Sequence, residues 1–484
     1  MEKSFNRIID FKFDCQQIND LAERLKQEIK SNNFENHVFI RGKVIRNQLL
    51  KLPYDTSDFE VVVDLPQGGI TLPTLLACKD HAFIKDKNPC YDNVNGSSIF
   101  TFQGDKKLAD FPVKFTQTKI EYKHNQSTSN LVNYTNIEDD AMVYGISIDS
   151  IYYNVSDGAL YDFTGTSFDD LKDKTIRIID VKYALKDDPS KILYILRTAN
   201  ELGFGIEKNT WVSMIENAPN IADLKVNKIR EELDKILLAD KPSEIIKKMF
   251  YCNCLDYTWP HLLMAMELVN TPFRQTDSIY EHTLKVLDRV PCDLKLRLAA
   301  LFHDIGKLKC NDKTYLFHEL LSVEMTETML NTLQYPFEIV DSVCNIIEHH
   351  EDLSNFGTRE TPSIRFIRRL RGKLGDDFEA TLELIDANNK SQVIGKKINQ
   401  VKMVRAEVER IDAKDAKSEK NRQENNKPST LPINGNDIQK EFGIKKGPII
   451  GNLLAKVSRE FKTNPDLTKE ECLSICRETI QLIS

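Results

Sequence analysis

The sequence predicts an α+β protein, with an α/β head at the N-terminus and a largely helical remainder. Three observations carry this. Hydrophobic residues make up 41% and charged residues 29% of the 484 positions, the balance of a globular, helix-rich chain long enough for two to four domains. Between His37 and Asp64 the pattern reads apolar strand, glycine turn, short helix, acidic strand. Farther on, Leu296-Arg297-Leu298-Ala299-Ala300-Leu301-Phe302 is an apolar helix-like run, and six of the nine histidines fall between His261 and His350.

Composition narrows the function classes. No apolar run approaches the ~20 residues that cross a bilayer. The opening residues, Met1 to Arg7, lack the apolar core of a signal peptide. Early acidic residues argue against an organellar presequence, so the expectation is a cytoplasmic protein without a membrane partner. The ten cysteines are scattered. Cys252 and Cys254 form a C-x-C with no second pair at metal spacing, which fits free thiols in a reducing compartment. A net charge of −7 does not suit a whole-surface nucleic-acid binder. It leaves room for local basic patches such as Arg365, Arg368, Arg369, Arg371 and Lys373, a pattern that is ordinarily a solvated helix face.

In chain order, residues 1–35 read as an amphipathic helix, with Ile18, Leu21, Leu25 and Ile29 at helical spacing. A strand at His37-Val38-Phe39-Ile40 leads through Arg41-Gly42-Lys43 into a short helix from Val44 to Leu50. After Pro53-Tyr54 comes a strand from Ser57 to Asp64. Asp58 and Glu60 project to one face of it, because side chains alternate with period two. Two carboxylates so placed can hold Mg²⁺ for phosphoryl or nucleotidyl transfer. Residues 412–430 are polar, charged and without aliphatic spacing, as expected of a solvated helix end followed by a linker.

The second candidate site centres on Leu301-Phe302-His303-Asp304-Ile305-Gly306-Lys307. His and Asp ligate hard or borderline divalent cations, and the glycine after the pair opens the backbone. Further candidate ligands flank it: His282 upstream, and His318, His349, His350 and Asp386 downstream. Neighbours on a helix point about 100° apart, so only one of His349 and His350 can face such a site. His349 is taken as that one.

The first half resembles the head of the tRNA nucleotidyltransferase and poly(A) polymerase family, which carries Gly-Gly-x-Val-Arg-Asp before a helix and Asp-x-Asp on the next strand. The resemblance continues through Ile148 to Asn154, Asp162 to Gly165, Asp188 to Leu193 and Lys228 to Leu233. The second half resembles the HD domain fused to bacterial members, and Pro432 to Gly451 is similar to their C-terminal helix–turn–helix. The implied organisation is a nucleotidyltransferase-like α/β head (1–175), a helical neck (176–270), an all-α HD domain (271–411), a linker (412–430) and a small helical tail (431–484).

The resemblance implies nucleotide contacts at Gly42, Arg46, Asp188, Lys191 and Arg197, and catalytic carboxylates at Asp58 and Glu60, with Mg²⁺ there. The head departs from the family pattern, however. Gly42-Lys43 replaces two glycines, Asn47 replaces Asp, and Val143-Tyr144-Gly145 replaces Arg-Arg-Asp. Lys191 and Tyr194 stand where arginines are expected, and neither supplies the bidentate fork.

The HD region keeps its pattern. The resemblance implies metal ligands His282, His303, Asp304 and Asp386. His318 and His349 would hold a second metal or the substrate phosphate and act in catalysis, with Lys307 neutralising a phosphate oxygen. The cofactor implied is Mg, Mn or a transition metal, and the partners implied are a tRNA-like RNA or a nucleotide. Three functions follow: an HD phosphohydrolase whose head only binds, a divergent but active nucleotidyltransferase, or a non-catalytic RNA-binding scaffold.

Overall fold

A computed structural model of the chain describes residues 6–54, 59–80, 90–92, 97–101, 112–122, 131–181, 184–260, 262, 264, 278–310, 315, 317–353, 362–391, 400–425, 431–464 and 467–481. These form two compact units, 1–401 and 402–484.

The first unit opens with β1 (Asn6–Ile8), α1 (Gln16–Asn32), β2 (Val38–Arg41), α2 (Lys43–Leu49), β3 (Glu60–Val63) and α3 (Gly68–Asp80). Then come β4 (Cys90–Asp92), β5 (Ser97–Thr101), β6 (Pro112–Gln117), β7 (Lys119–Tyr122), β8 (Leu131–Tyr134), α4 (Ile137–Val143), β9 (Ile151–Asn154) and β10 (Leu160–Asp162). Eight strands make one sheet in the order β1-β10-β9-β2-β3-β6-β5-β4. All neighbours are antiparallel except β3 and β6.

The helix expected over 1–35 is confined to α1, and the chain before it supplies an edge strand, β1. The predicted stripe holds: Ile18, Leu21, Leu25 and Ile29 are buried and pack with Val38, Ile40, Val61 and Val63 of the central strands. Gly42 caps α2 at φ +105°, a conformation that favours glycine. That is why the strand can turn sharply into the helix there.

The rest of this unit is helical apart from a short parallel pair of strands, β11 (Thr175–Ile176) and β12 (Gly205–Ile206). Its described helices include α5 (Ser167–Lys172), α6 (Ala184–Asp187), α7 (Ser190–Leu202), α8 (Lys208–Asn217), α9 (Val226–Leu238), α10 (Pro242–Tyr251) and α11 (Leu255–Thr258). After them come α12 (Ile279–Arg289), α13 (Leu294–Phe302), α14 (His318–Thr332), α15 (Phe337–Glu348), α16 (Ile364–Leu374) and α17 (Phe378–Ser391). One hydrophobic core runs from Ile146 to Ala387 through all of these except α16. The segments expected as neck and HD domain therefore share an interior. The buried Arg297 guanidinium ties α13 to the end of α9 by donating to the carbonyls of Leu237 and, at 2.6 Å, Ala239.

Helix α18 (Gln400–Asn425) leads into the second unit. The linker expected over 412–430 is thus helical through Asn425, because a charged run without glycine or proline is still a good helix former. Residues 426–430 lie outside the described residues. The second unit continues with α19 (Gly435–Phe442), α20 (Pro448–Thr463) and α21 (Lys469–Gln481). They pack around Ile438, Leu453, Val457, Cys472 and Cys476. A capping box between Asn434 and Asp437 starts α19, and Gly443 ends it in the left-handed region.

Candidate functional site

The histidine-rich site is assembled by four helices. α12 carries His282, and its start is fixed by a Ser278–Glu281 capping box. α13, capped by Asp293, ends in Phe302 and hands the chain to His303 and Asp304. A 3₁₀ turn over Ile305–Leu308 follows, and it lies against α14 because residue 306 has no side chain. A Cβ on Gly306 would lie 2.2 Å from the His318 carbonyl and 2.4 Å from the Ser322 nitrogen. The Gly306 N–H donates to Ser322 Oγ at 2.8 Å. This close approach brings His318 to Asp304. His350 follows the end of α15.

Asp304 is the centre. Its Oδ2 lies 3.3 Å from His303 Nε2, 3.6 Å from His282 Nε2 and 2.7 Å from Lys307 Nζ. Its Oδ1 lies 3.2 Å from His318 Nε2 and 3.8 Å from His350 Nε2. Two ligand triads, His282–His303–Asp304 and Asp304–His318–His350, thus share one buried carboxylate. Three of the four histidines are held alike: the Nδ1 of His303, His318 and His350 meets the carbonyl three residues earlier at 2.9, 2.9 and 2.6 Å. Assigned from that network, Nδ1–H donates and Nε2 turns its lone pair to the centre, the tautomer of a metal ligand.

The donor set fits a cation. Among the described residues, Asp304 Oδ1, His303 Nε2 and Asn388 Oδ1 are buried and make no well-formed hydrogen bond, although imidazole nitrogens approach the Asp304 carboxylate at 3.2 Å and beyond. Such groups cost free energy unless something positive satisfies them. Nε2 of His318 and Nε2 of His350 also face each other at 3.4 Å, which requires a shared proton or a metal between two lone pairs. Burial would raise the Asp304 pKa, but His303 and Lys307 override it and hold the carboxylate ionised well below its ordinary range. Burial pushes His282 down to about 4, against the pull of Asp304. It is therefore neutral at physiological pH. Burial also opposes the charged form of His350, but Asp304 wins and moves that histidine upward.

In the head the described charged side chains pair with one another. Strand register sets Tyr152, Arg41, Glu60 and Lys114 side by side across β9, β2, β3 and β6. Their side chains interact accordingly: Arg41 Nε to Glu60 at 2.8 Å, Lys114 Nζ to Glu60 at 2.9 Å, and Arg41 to Asp140 in a short ion pair. The Tyr144 ring lies 4.0 Å from the Arg41 guanidinium carbon. Burial would raise the Glu60 pKa, but Arg41 and Lys114 bring it down to about 2. Asp58 lies outside the described residues. Arg46 pairs with Asp149 at 2.8 Å, and Tyr194 donates to the same carboxylate. Asp188 pairs with Lys228 at 2.8 Å, Lys191 donates to the Val143 carbonyl at 3.2 Å, and Arg197 pairs with Glu201 and Glu232. Each described side chain expected to contact nucleotide is engaged by the protein itself.

Residues 38–177 match the family model of the poly A polymerase head domain. Residues 203–266 match the probable RNA and SrmB-binding site of polymerase A, and residues 279–387 match the HD domain. The chain belongs to the tRNA nucleotidyltransferase and poly(A) polymerase family, with an HD domain. Similar curated relatives include a CCA-adding enzyme of Blochmanniella pennsylvanica, 22% identical over 342 residues, covering 66% of this chain and 75% of the relative. A multifunctional CCA protein of Chromobacterium violaceum is 24% identical over 323 residues, covering 65% and 74%. Among solved structures, the Thermotoga maritima CCA-adding enzyme complexed with tRNA superposes with a TM-score of 0.55 at 15% identity, over 97% of this chain and 96% of that one. At that identity the likeness establishes the fold alone.

Against the family pattern the structure makes two corrections in the HD region. His349 does not face the centre. Its Nδ1 lies 3.1 Å from Asp352, and His350 takes the expected position. Asp386 is not in the cluster either. It pairs with the exposed Lys390 one turn on, at 2.5 Å. Asn388, two residues later and so about 200° around α17, faces inward instead. Arg41, Lys114 and Asp140 were not singled out from the sequence. The signal for Arg41 was its place beside the glycine turn, opposite the acidic strand.

Proposed function

We propose that this family member is a metal-dependent phosphohydrolase whose chemistry resides in the HD site, acting on an RNA end or a nucleotide, with the head serving to bind. The observation that carries the reading is the contrast between the two sites. Around Asp304 converge four buried imidazoles arranged as two ligand triads, whereas Glu60 is fully neutralised by Arg41 and Lys114. Nucleotidyltransferase and HD domains generally use divalent metals. His282, His303 and Asp304 are the residues that would hold one here.

A divalent cation bound there supplies Lewis acidity and lowers the pKa of a bound water. The chain's residues do the rest. Lys307, 2.7 Å from Asp304 and half-buried, sits where it can neutralise a phosphate oxygen. His318 and His350, whose Nε2 atoms lie 3.4 Å apart, can share one proton between them and deliver it to the leaving oxygen. RNA as the substrate class is supported by α16, whose apolar face of Ile367, Leu370 and Leu374 is buried while Arg365, Arg368, Arg369, Arg371 and Lys373 are exposed. Its Lys373 lies 3.9 Å from Glu348, the residue before the two histidines. It is supported too by the relatives, since one superposing structure is a complex with tRNA.

The test is release of phosphate from an RNA carrying a 3′-terminal phosphate, with Mg²⁺, Mn²⁺ or Co²⁺. Release that disappears in His303→Ala and Asp304→Ala supports the reading. Release that persists in both variants, or is absent with every metal, rejects it. The second reading, a divergent nucleotidyltransferase using Asp58 and Glu60, is favoured by the names of the relatives. It requires Arg41 and Lys114 to yield Glu60 to a metal.

A further inference from the structure

The inward face of α17 carries a polar group that neither the ion pairs of the HD site nor the core accounts for. Asn388 is 4% exposed, and its amide oxygen makes no well-formed hydrogen bond among the described residues; its near neighbour is the His282 imidazole. It is not stranded in hydrocarbon. α17 packs against α12, α13 and α15, two of which carry or deliver His282 and His303, and the third of which ends at His349 and His350. Arg289 of α12 reaches Ser391 of α17 at 3.0 Å and pins the two helices together. The carboxamide of Asn388 stands within hydrogen-bonding reach of the His282 imidazole. A buried amide oxygen set against a histidine that also faces Asp304 offers its lone pairs to a positive partner.

We propose that Asn388, through its amide oxygen, is the fourth ligand of a divalent cation held by His282, His303 and Asp304. This rests on the reading of the HD site as a metal centre. The set is two imidazole nitrogens, one carboxylate and one neutral oxygen, a mixture suited to Mn²⁺, Co²⁺ or Zn²⁺. The carboxylate nearby in sequence, Asp386, is turned away and neutralised by Lys390. An amide in place of a carboxylate has two consequences. The ion is held less tightly, since one charge–charge attraction is missing. The loaded site also carries one more unit of positive charge, which an incoming phosphate can neutralise. The structure thus assigns residue 388 the setting of both metal affinity and anion affinity.

The experiment uses the full-length chain and Co²⁺ as the probe, read by its visible spectrum and by competition with a chromophoric chelator. Asn388→Asp is expected to tighten Co²⁺ binding, and Asn388→Ala to weaken it, each by about tenfold or more. Both should change the ligand-field bands. Asp386→Asn is expected to bind Co²⁺ as the native chain does. Inorganic phosphate should bind the Co²⁺-loaded native protein more tightly than the loaded Asn388→Asp variant. Should both position-388 variants keep native affinity and native bands while His303→Ala loses the ion, the metal centre stands and this assignment falls. Should His303→Ala bind Co²⁺ as the native chain does, the assignment and the reading beneath it fall together. Loss of Co²⁺ in Asp386→Asn would also overturn it. Asn388→Asp keeps the side-chain shape, so the test does not depend on Asn388→Ala folding.

Discussion

Asp304 is 2% exposed and is approached by four imidazoles and an ammonium, so its ionised form is the one the fold selects. Removing it leaves converging histidines and Lys307 without their counter-charge. Asp304→Ala is expected to lose both copurified metal and phosphate release, read by elemental analysis and a phosphate assay. The two adjacent histidines should separate cleanly. His350→Ala is expected to slow phosphate release by about 10²–10⁴-fold, the range for loss of a proton donor, whereas His349→Ala should change it by less than about threefold. That pair also marks where the sequence was legible and where it was not. Residue types and spacing pointed to His282, His303, Asp304 and His318. Which of His349 and His350 turns inward depends on how the last turn of α15 is phased, and adjacent letters do not carry that phase. Asp386 was mistaken for the same reason: the carboxylate drew attention, but the inward face of α17 belongs to Asn388.

At the scale of elements, two devices hold the sites. The first is the contact of the 3₁₀ turn with α14 across Gly306. Gly306→Ala must push apart two backbone segments and is expected to cost about 1–3 kcal/mol. It should also lower metal content, because His318 would move away from Asp304; denaturant unfolding and elemental analysis read the two effects. The second is the rung Tyr152–Arg41–Glu60–Lys114 across the sheet. Arg41→Ala leaves buried Glu60 and Asp140 without their main cation and is expected to cost about 3–5 kcal/mol in urea unfolding. The pH dependence follows from Glu60. Its folded pKa of about 2 lies below the ordinary value near 4.5, so its stabilisation is complete above about pH 4.5. As pH falls from there through 2 the stabilisation is lost. Acid unfolding of the native head should reflect this, and Glu60→Gln should flatten that part of the curve. The strands and the glycine turn were readable from alternation and from Gly42. The rung was not, because cross-strand register is a property of pairing and not of any one strand.

For the whole molecule, the order of head, helical region and tail could be read from local patterns and from a resemblance covering most of the chain. The shared core from Ile146 to Ala387 could not, since residues far apart in sequence build it. The charge of −7 is likewise unevenly spread, and the exposed basic face of α16 is a local exception. The central claim is that chemistry has moved from the head to the HD site, and one paired assay decides it. A tRNA transcript trimmed of its 3′ end is supplied in two forms, one with a free 3′-hydroxyl that can accept a nucleotide and one with a 3′-terminal phosphate that cannot. Each is incubated with labelled CTP and ATP and a divalent metal, and extension is scored on the first and phosphate release on the second. The account predicts phosphate release that vanishes in Asp304→Ala, with no extension. Extension that vanishes in Glu60→Gln and survives in Asp304→Ala would contradict it.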